Sequence, residues 1–149
     1  MNRAFHVRRL RLPELDAILY VERACFGEDA YDRNLFAKYL AMEGVLFLVA
    51  ERAAKISGYC LAVQAGDRAE IVSIAVAPRA RRQGAAQMLL ASTLRRLKRR
   101  GVVRVSLTVK AGNHAARALY ERHGFIKVRT VRAYYEDGAD GLRMYRDSG

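Results

Sequence analysis

An amphipathic pattern over residues 84–100 constrains the fold more than any other feature of this sequence. Apolar or small residues recur there at i, i+3, i+4, i+7, i+8 and i+11, which is the period of an α-helix with one buried face. Gly101 follows where a glycine commonly ends a helix. The β-prone runs Glu70–Ala77 and Val102–Val109 flank the segment, so we expect this helix to pack against a sheet.

The remaining segments predict further helices and strands. Strands are predicted over residues 4–10, Val45–Glu51, Ile56–Val63, Phe125–Tyr135 and Leu142–Arg146. Further helices are predicted from Pro13, from Asp32 as N-cap to Gly44 as stop, and from Asn113 as N-cap to about His123. We therefore predict an α/β protein with a central mixed β-sheet of about seven strands and four helices on its faces, forming a single domain over residues 1–149.

Charge and composition narrow the function classes. The chain has 27 Lys+Arg and 15 Asp+Glu, a net charge of +12, which attracts a nucleotide cofactor, an RNA surface or an acidic protein alike. The apolar runs are too short to span a bilayer and no signal peptide is evident, so we expect a cytoplasmic protein without a membrane partner. The cysteines and histidines match no metal-ligand spacing, so we expect no metal.

The segment Arg81–Ala86 lies between a predicted strand and the start of the long helix. Free backbone N–H groups and the helix dipole make such a start favourable for an anion. Gly84 allows a phosphate to approach the backbone, and Arg81 and Arg82 add positive charge. From these residues alone, a solvated turn remains the alternative. The segment matches neither the P-loop nor the dinucleotide-binding pattern.

Two motifs together resemble the GNAT acetyltransferase superfamily. The run Ile74–Pro78 followed by Arg81-x-x-Gly84-x-Ala86 is similar to the coenzyme A signature of that superfamily. The segment Asn113–Phe125 is similar to its N-x-x-A-x-x-L-Y-x-x-x-G-F motif. The two motifs occur in the family's order, and the predicted element order also fits over nearly the whole chain. The resemblance implies the GNAT fold and an acetyl-CoA-dependent N-acetyltransferase.

The resemblance also implies which residues contact acetyl-CoA, the expected cosubstrate. In the family, one strand bonds the pantetheine arm through its backbone, the following loop wraps the pyrophosphate, and an asparagine contacts the pantetheine region. The matching residues here are Ile74, Ala75, Val76, Arg81, Arg82, Gln83, Gly84, Ala85, Ala86 and Asn113.

Acetyl transfer by direct attack in a ternary complex is helped by a base for the amine and an acid for the leaving thiolate. Tyr120 matches the family tyrosine that protonates the sulfur, and a phenol with a pKa of about 10 keeps its proton at neutral pH. RimI-like members often carry a glutamate twelve residues before this tyrosine, where this chain has Thr108. Glu70 matches the catalytic glutamate of other branches and is the expected base. The alternative for Tyr120 is a tyrosine packed in the core, and the alternative for Glu70 is a solvated glutamate at a strand end.

The acceptor is suggested by Arg132-Ala133-Tyr134-Tyr135, which resembles the R-x-Y-Y segment of the RimI-like, protein N-terminal branch. We expect Tyr134 and Tyr135 to line the acceptor site and a protein or peptide α-amine to be acetylated. Their alternative is a pair of aromatic residues in an edge strand.

Other functions stay open at this point. A small-molecule amine acetyltransferase fits the same motifs, and Thr108 is compatible with a non-catalytic acyl-CoA-binding module. A basic cluster from Arg95 to Arg104 leaves proximity to a ribosome or RNA open. A dedicated nucleic-acid-binding domain is least favoured, because that cluster has no interleaved aromatic residues.

Overall fold

The computed structural model describes residues 4–148, so residues 1–3 and 149 at the ends of the predicted domain lie outside the described part. The elements are β1 His6–Arg9, α1 Leu15–Phe26, α2 Arg33–Leu40, β2 Val45–Arg52, β3 Lys55–Ala65, β4 Arg68–Val76, α3 Ala85–Arg99, β5 Arg104–Lys110, α4 His114–Arg122, β6 Ile126–Val131 and β7 Gly141–Asp147. The predicted order of strands and helices is therefore confirmed.

The strands form one sheet in the order β1-β2-β3-β4-β5-β7-β6. Every neighbouring pair is antiparallel except β4 and β5, which are parallel. A parallel pair needs a crossover connection, and α3 supplies it. The prediction of a mixed sheet of about seven strands with four helices is confirmed.

Helices cover both faces of the sheet. The alternation along β2 shows the division, because Leu48 belongs to the core beneath α3 and α4, whereas Phe47 belongs to the core beneath α1 and α2. On the first face, α3 buries the residues of its apolar stripe, such as Leu90. On the other face, α1 buries Ile18 and α2 buries Phe36. These two cores fix the central strands between the helices.

The predicted last part of β6 is wrong. The strand was expected to reach Tyr135, but it ends at Val131. Ala133 then adopts a positive φ of 50°, and its N–H donates to Asp140 Oδ1 at 3.0 Å. That bond turns the chain, so Tyr134 and its neighbour lie in the β6–β7 loop rather than in an edge strand. The local β propensity was overridden by a contact with a residue seven positions later.

Candidate active site

A cleft opens where β4 and β5 separate. The two strands pair from Arg68 with Arg104 to Ile71 with Leu107. β4 nevertheless continues to Val76 and β5 to Lys110, each paired on its other side with an antiparallel neighbour. The C-terminal half of β4 therefore has a backbone edge that no strand covers.

Along β4, the N–H and C=O groups of successive residues point alternately towards this cleft and towards β3. The Ala77 N–H donates to the Ser57 carbonyl oxygen at 2.7 Å. In an antiparallel ladder every second residue bonds to the same neighbouring strand, so the backbone groups of Ala75 also point towards β3. Consistently, the Ala75 carbonyl oxygen is 2.7 Å from where a Cβ on Gly58 would lie. Ile74 and Val76 are thus the two residues whose backbone groups face the cleft.

The loop before α3 presents unpaired backbone donors. Gly84 precedes the helix with a φ of 88° and no side chain caps it. The first helical bond runs from Met88 N–H to Gly84 at 3.0 Å, so the N–H groups of Ala85, Ala86 and Gln87 have no helical acceptor. These groups and the positive end of the helix dipole could hold an anion next to the cleft.

The side chains of this loop have two different roles. Arg81 Nε donates to the Val76 carbonyl at 3.1 Å, which holds the loop against the end of β4. Gln83 Nε2 donates to the Arg79 carbonyl at 3.3 Å and stabilises the turn. Arg82 is exposed and makes no side-chain hydrogen bond within residues 4–148. Its guanidinium is therefore available to an incoming phosphate.

Tyr120 lies on α4 with a buried ring and an accessible hydroxyl. The ring is 6% exposed and contacts Phe125 edge-on, with 5.7 Å between centroids. Among the described residues, the buried polar side-chain atoms without a partner are Thr93 Oγ1 and Arg117 Nε, so the unbonded Tyr120 hydroxyl must reach accessible space. Burial raises the pKa of Tyr120 above its usual value of 10.0, which keeps the phenol protonated at neutral pH.

Asn113 begins α4 directly after β5. Its Oδ1 accepts from the N–H of Ala116 at 3.2 Å, so the predicted N-cap is confirmed. The cap occupies the side-chain oxygen and leaves the amide nitrogen as a donor.

Glu70, Thr108 and Arg143 form a polar cluster where β4 and β5 begin to separate. Arg143 Nη1 donates to Glu70 Oε2 at 2.5 Å and to Thr108 Oγ1 at 3.0 Å, while Nη2 donates to Glu70 Oε1 at 3.1 Å. The bond to Glu70 raises the pKa of Arg143, so the guanidinium stays charged. Sequence reasoning named Glu70 and Thr108 but missed Arg143. The available signal was a charged residue between the apolar Leu142 and Met144.

Tyr134 packs beside this cluster. A Cβ on Gly141 would lie 3.0 Å from Thr108 Cγ2 and 3.0 Å from Tyr134 Cβ, so these two side chains flank the same glycine. Tyr135 follows with its ring centroid 4.9 Å from that of Tyr134, and Lys110 Nζ lies 5.1 Å from the Tyr135 ring. Burial raises the pKa of Tyr135 to about 12. The tyrosine pair thus lies at the end of the cleft marked by Thr108.

Comparisons with known proteins identify the family and the fold. Residues 13–125 match the model of the acetyltransferase (GNAT) family. An N-alpha-acetyltransferase of Saccharolobus solfataricus is 31% identical, over 97% of this chain and 94% of that protein. The crystal structure of the Escherichia coli ribosomal-protein-S18-alanine N-acetyltransferase superposes with a TM-score of 0.89 at 29% identity, over 96% of this chain and 93% of that chain. The crystal structure of Chaetomium thermophilum Naa20 in complex with a bisubstrate analogue superposes with a TM-score of 0.84 at 27% sequence identity. The match covers 95% of this chain and 86% of that chain.

The chain belongs to the GNAT family. It is an acyltransferase that resembles the RimI-like N-acetyltransferases, and members of this family use acetyl-CoA. Among residues 4–148, no group of three or more histidine, cysteine, aspartate or glutamate side chains is arranged to hold a metal ion. None of the described helices is long and apolar enough to cross a membrane.

A second polar network links α1 to β4, and sequence reasoning missed it. Glu22 is 2% exposed and accepts hydrogen bonds from the Tyr59 hydroxyl and, at 3.0 Å, from the Tyr31 N–H. Tyr59 also lies 2.8 Å from Ser73 Oγ on β4. Burial raises the pKa of Glu22. The signal was visible as a glutamate at an apolar position of the α1 pattern, beside Ile18.

Proposed function

We propose that this GNAT enzyme transfers the acetyl group of acetyl-CoA to the α-amine of a protein or peptide N-terminus. The observation that carries the proposal is the cleft between β4 and β5, with phosphate-compatible donors at one end and the Thr108–Tyr134 pair at the other. Two relatives, an N-alpha-acetyltransferase at 31% identity and a ribosomal protein bS18-alanine N-acetyltransferase at 29% identity, support the same acceptor class by their names.

Acetyl-CoA fits the cleft by the chemistry of the groups around it. Its pyrophosphate matches the unpaired N–H groups before α3 together with Arg82. Its pantetheine arm carries amides that match the backbone groups of Ile74, the N–H of Val76 and the Asn113 amide, whereas the Val76 carbonyl already accepts from Arg81. In the proposed complex, the thioester lies between β4 and β5, near the hydroxyl of Tyr120.

Tyr120 is the proposed general acid. The amine nitrogen attacks the thioester carbon, the carbon–sulfur bond breaks, and the sulfur takes the proton of the Tyr120 hydroxyl. The attacking nitrogen loses one proton to a base, and solvent returns a proton to the tyrosine, so the proton balance of the cycle closes. The raised pKa of Tyr120 keeps the phenol protonated at neutral pH, so its proton is in place when the carbon–sulfur bond breaks.

Glu70 is the proposed base. Both of its oxygens accept from Arg143, but a carboxylate offers about four lone-pair directions, so each oxygen can still accept from an amine or a bridging water. An α-amine has a pKa of about 7.7–8.0 and a lysine side chain about 10.4, so an α-amine needs far less help to become neutral. That difference favours an α-amine in a site with Thr108 in place of the RimI-like glutamate.

The acceptor class can be tested with two matched peptides and acetyl-CoA. One peptide has a free α-amine and no lysine, and the other has a blocked N-terminus and one lysine at the same distance from the end. Mass spectrometry should find acetyl on the α-amine at a much higher kcat/KM. Acetyl found only on lysine, or only on small amines run in parallel, contradicts the acceptor assignment. Binding of acetyl-CoA without turnover on any amine contradicts the proposed mechanism.

A further inference from the structure

Arg143 reaches across a whole strand to contact Glu70. Arg143 lies on β7 directly opposite Thr108 on β5, whereas Glu70 lies on β4 opposite Ser106. The Arg143 side chain therefore passes over β5 at Thr108 and ends at Glu70. Strand pairing between β4 and β5 stops one residue beyond Glu70, so the guanidinium lies at the closed end of the cleft.

The contact fixes the direction of the Glu70 carboxylate. Two parallel N–H···O bonds from one guanidinium define both the position and the plane of a carboxylate, which a single ammonium donor cannot do. The third bond, to Thr108 Oγ1, ties the same guanidinium to β5. The side chains of Arg143 and Glu70 are 28% and 42% exposed, so Glu70 without this contact is free to turn towards solvent.

We propose that Arg143 is a positioning residue that holds the Glu70 carboxylate beside Thr108, where the acceptor amine gives up its proton. This inference rests on the proposed acetyl transfer to an amine. In the step it serves, the proton passes from the amine nitrogen to Glu70, directly or through one water, as the nitrogen bonds to the thioester carbon and the carbon–sulfur bond breaks. The carboxylate reaches the Thr108 position from a neighbouring strand.

Other charged and titratable groups lie around Arg143. Because they remain when Arg143 is replaced, the effect of orienting Glu70 can be distinguished from the effect of local positive charge. A groove distinct from the β4–β5 cleft lies beside Arg143 and is lined by Arg68, Arg104, Arg129 and Tyr145, and Tyr134 lies close on the loop side. Arg104 is paired with Asp147 at 2.6 Å. Neutralising Arg143 therefore leaves other cations nearby but removes the donors that orient Glu70. A lysine at the same position keeps the charge and loses the paired donors.

A double-mutant cycle tests the coupling. Arg143→Gln, Glu70→Gln and the double variant are compared by kcat and KM for the α-amine peptide over pH 6–9, with acetyl-CoA affinity and melting temperature as folding controls. Each single change should lower kcat by about 10²-fold, and the double variant should be no slower than the slower single variant. Arg143→Lys should stay at least about 10-fold slow. Arg129→Gln, which removes a cation of the neighbouring groove without touching Glu70, should keep the wild-type rate.

The split between kcat and KM adds a readout that a purely structural role does not give. Arg143→Gln and Arg143→Lys should both lower kcat and leave the KM for acetyl-CoA close to the wild-type value, because only the orientation of the base is lost. Losses that multiply in the double variant, or a full rate in Arg143→Lys, would overturn the proposal.

Moving the carboxylate gives an independent test. In Thr108→Glu/Glu70→Gln, the new carboxylate starts from the residue whose hydroxyl is 3.0 Å from Arg143 Nη1, so it has a ready ion partner. This variant should be at least about 10-fold faster than Glu70→Gln, and a folded variant with no recovery contradicts the proposal. If wild type acetylates only another kind of amine, the proposed acceptor is wrong, and the same cycle run on that amine still decides the role of Arg143.

Discussion

Replacing Tyr120 with phenylalanine isolates the proposed acid, because it deletes one oxygen from a ring that stays packed. The ring is 6% exposed and keeps its edge contact with Phe125. The hydroxyl makes no hydrogen bond within residues 4–148, so its removal leaves no described partner unsatisfied. The free energy of unfolding should therefore change by less than about 1 kcal/mol, and acetyl-CoA affinity should be nearly unchanged.

The loss should instead be kinetic. A general acid typically contributes about 10²–10⁴-fold, which at about 1.36 kcal/mol per decade is roughly 2.7–5.5 kcal/mol of transition-state stabilisation. Burial raises the pKa of Tyr120 above 10.0, so the phenol is protonated throughout pH 6–9 and adds no limb to the profile there. The ratio of wild-type to variant kcat should accordingly be constant over that range.

Steady-state kinetics at pH 6, 7.5 and 9, with thermal melts with and without acetyl-CoA, measure these quantities. Tyr39→Phe on α2 is the matched control and should keep the wild-type kcat. A Tyr120→Phe enzyme with full kcat would refute the assignment of the acid. A ratio that changes with pH would show that Tyr120 titrates in this range and that the reasoning from its burial is wrong.

Two further predictions concern the cofactor loop and the buried glutamate. Acetyl-CoA at about 100 times Kd should raise the melting temperature by about 5–10 °C. Gly84→Val should abolish that shift. The control Gly66→Val, at another open glycine of positive φ, should lose similar stability and keep the shift. Equal melting-temperature shifts in the two variants would mean that the cofactor binds elsewhere. Burial raises the pKa of Glu22, so its ionisation opposes folding. The wild type should therefore lose stability relative to Glu22→Gln as pH rises above 4.5 and through the raised pKa. A difference in unfolding free energy between the two proteins that stays constant over pH 4–8 would contradict this.

The sequence by itself determined the element order and the cofactor motif, because both depend on residues close together in the chain. Asp32 accepts from the Leu35 N–H at 2.9 Å, and Asn113 caps α4 in the same way, both three residues away. Helical periodicity predicted α3 to within about one residue at each end. In the loop before α3, Gly84 and the two preceding arginines predicted an anion site, with a solvated turn as the alternative.

Only the tertiary structure decided which polar groups meet, because such contacts depend on strand order and register. Arg143 and Glu70 are 73 residues apart in the chain and meet because β5 places β7 two strands from β4. Glu22 and Tyr59 are 37 residues apart and meet because α1 packs over β3. A shift of one residue in the pairing of two strands turns a side chain to the opposite face of the sheet, and no local pattern encodes that pairing. The protein's candidate base and its buried acid therefore acquire their partners only when the sheet is assembled.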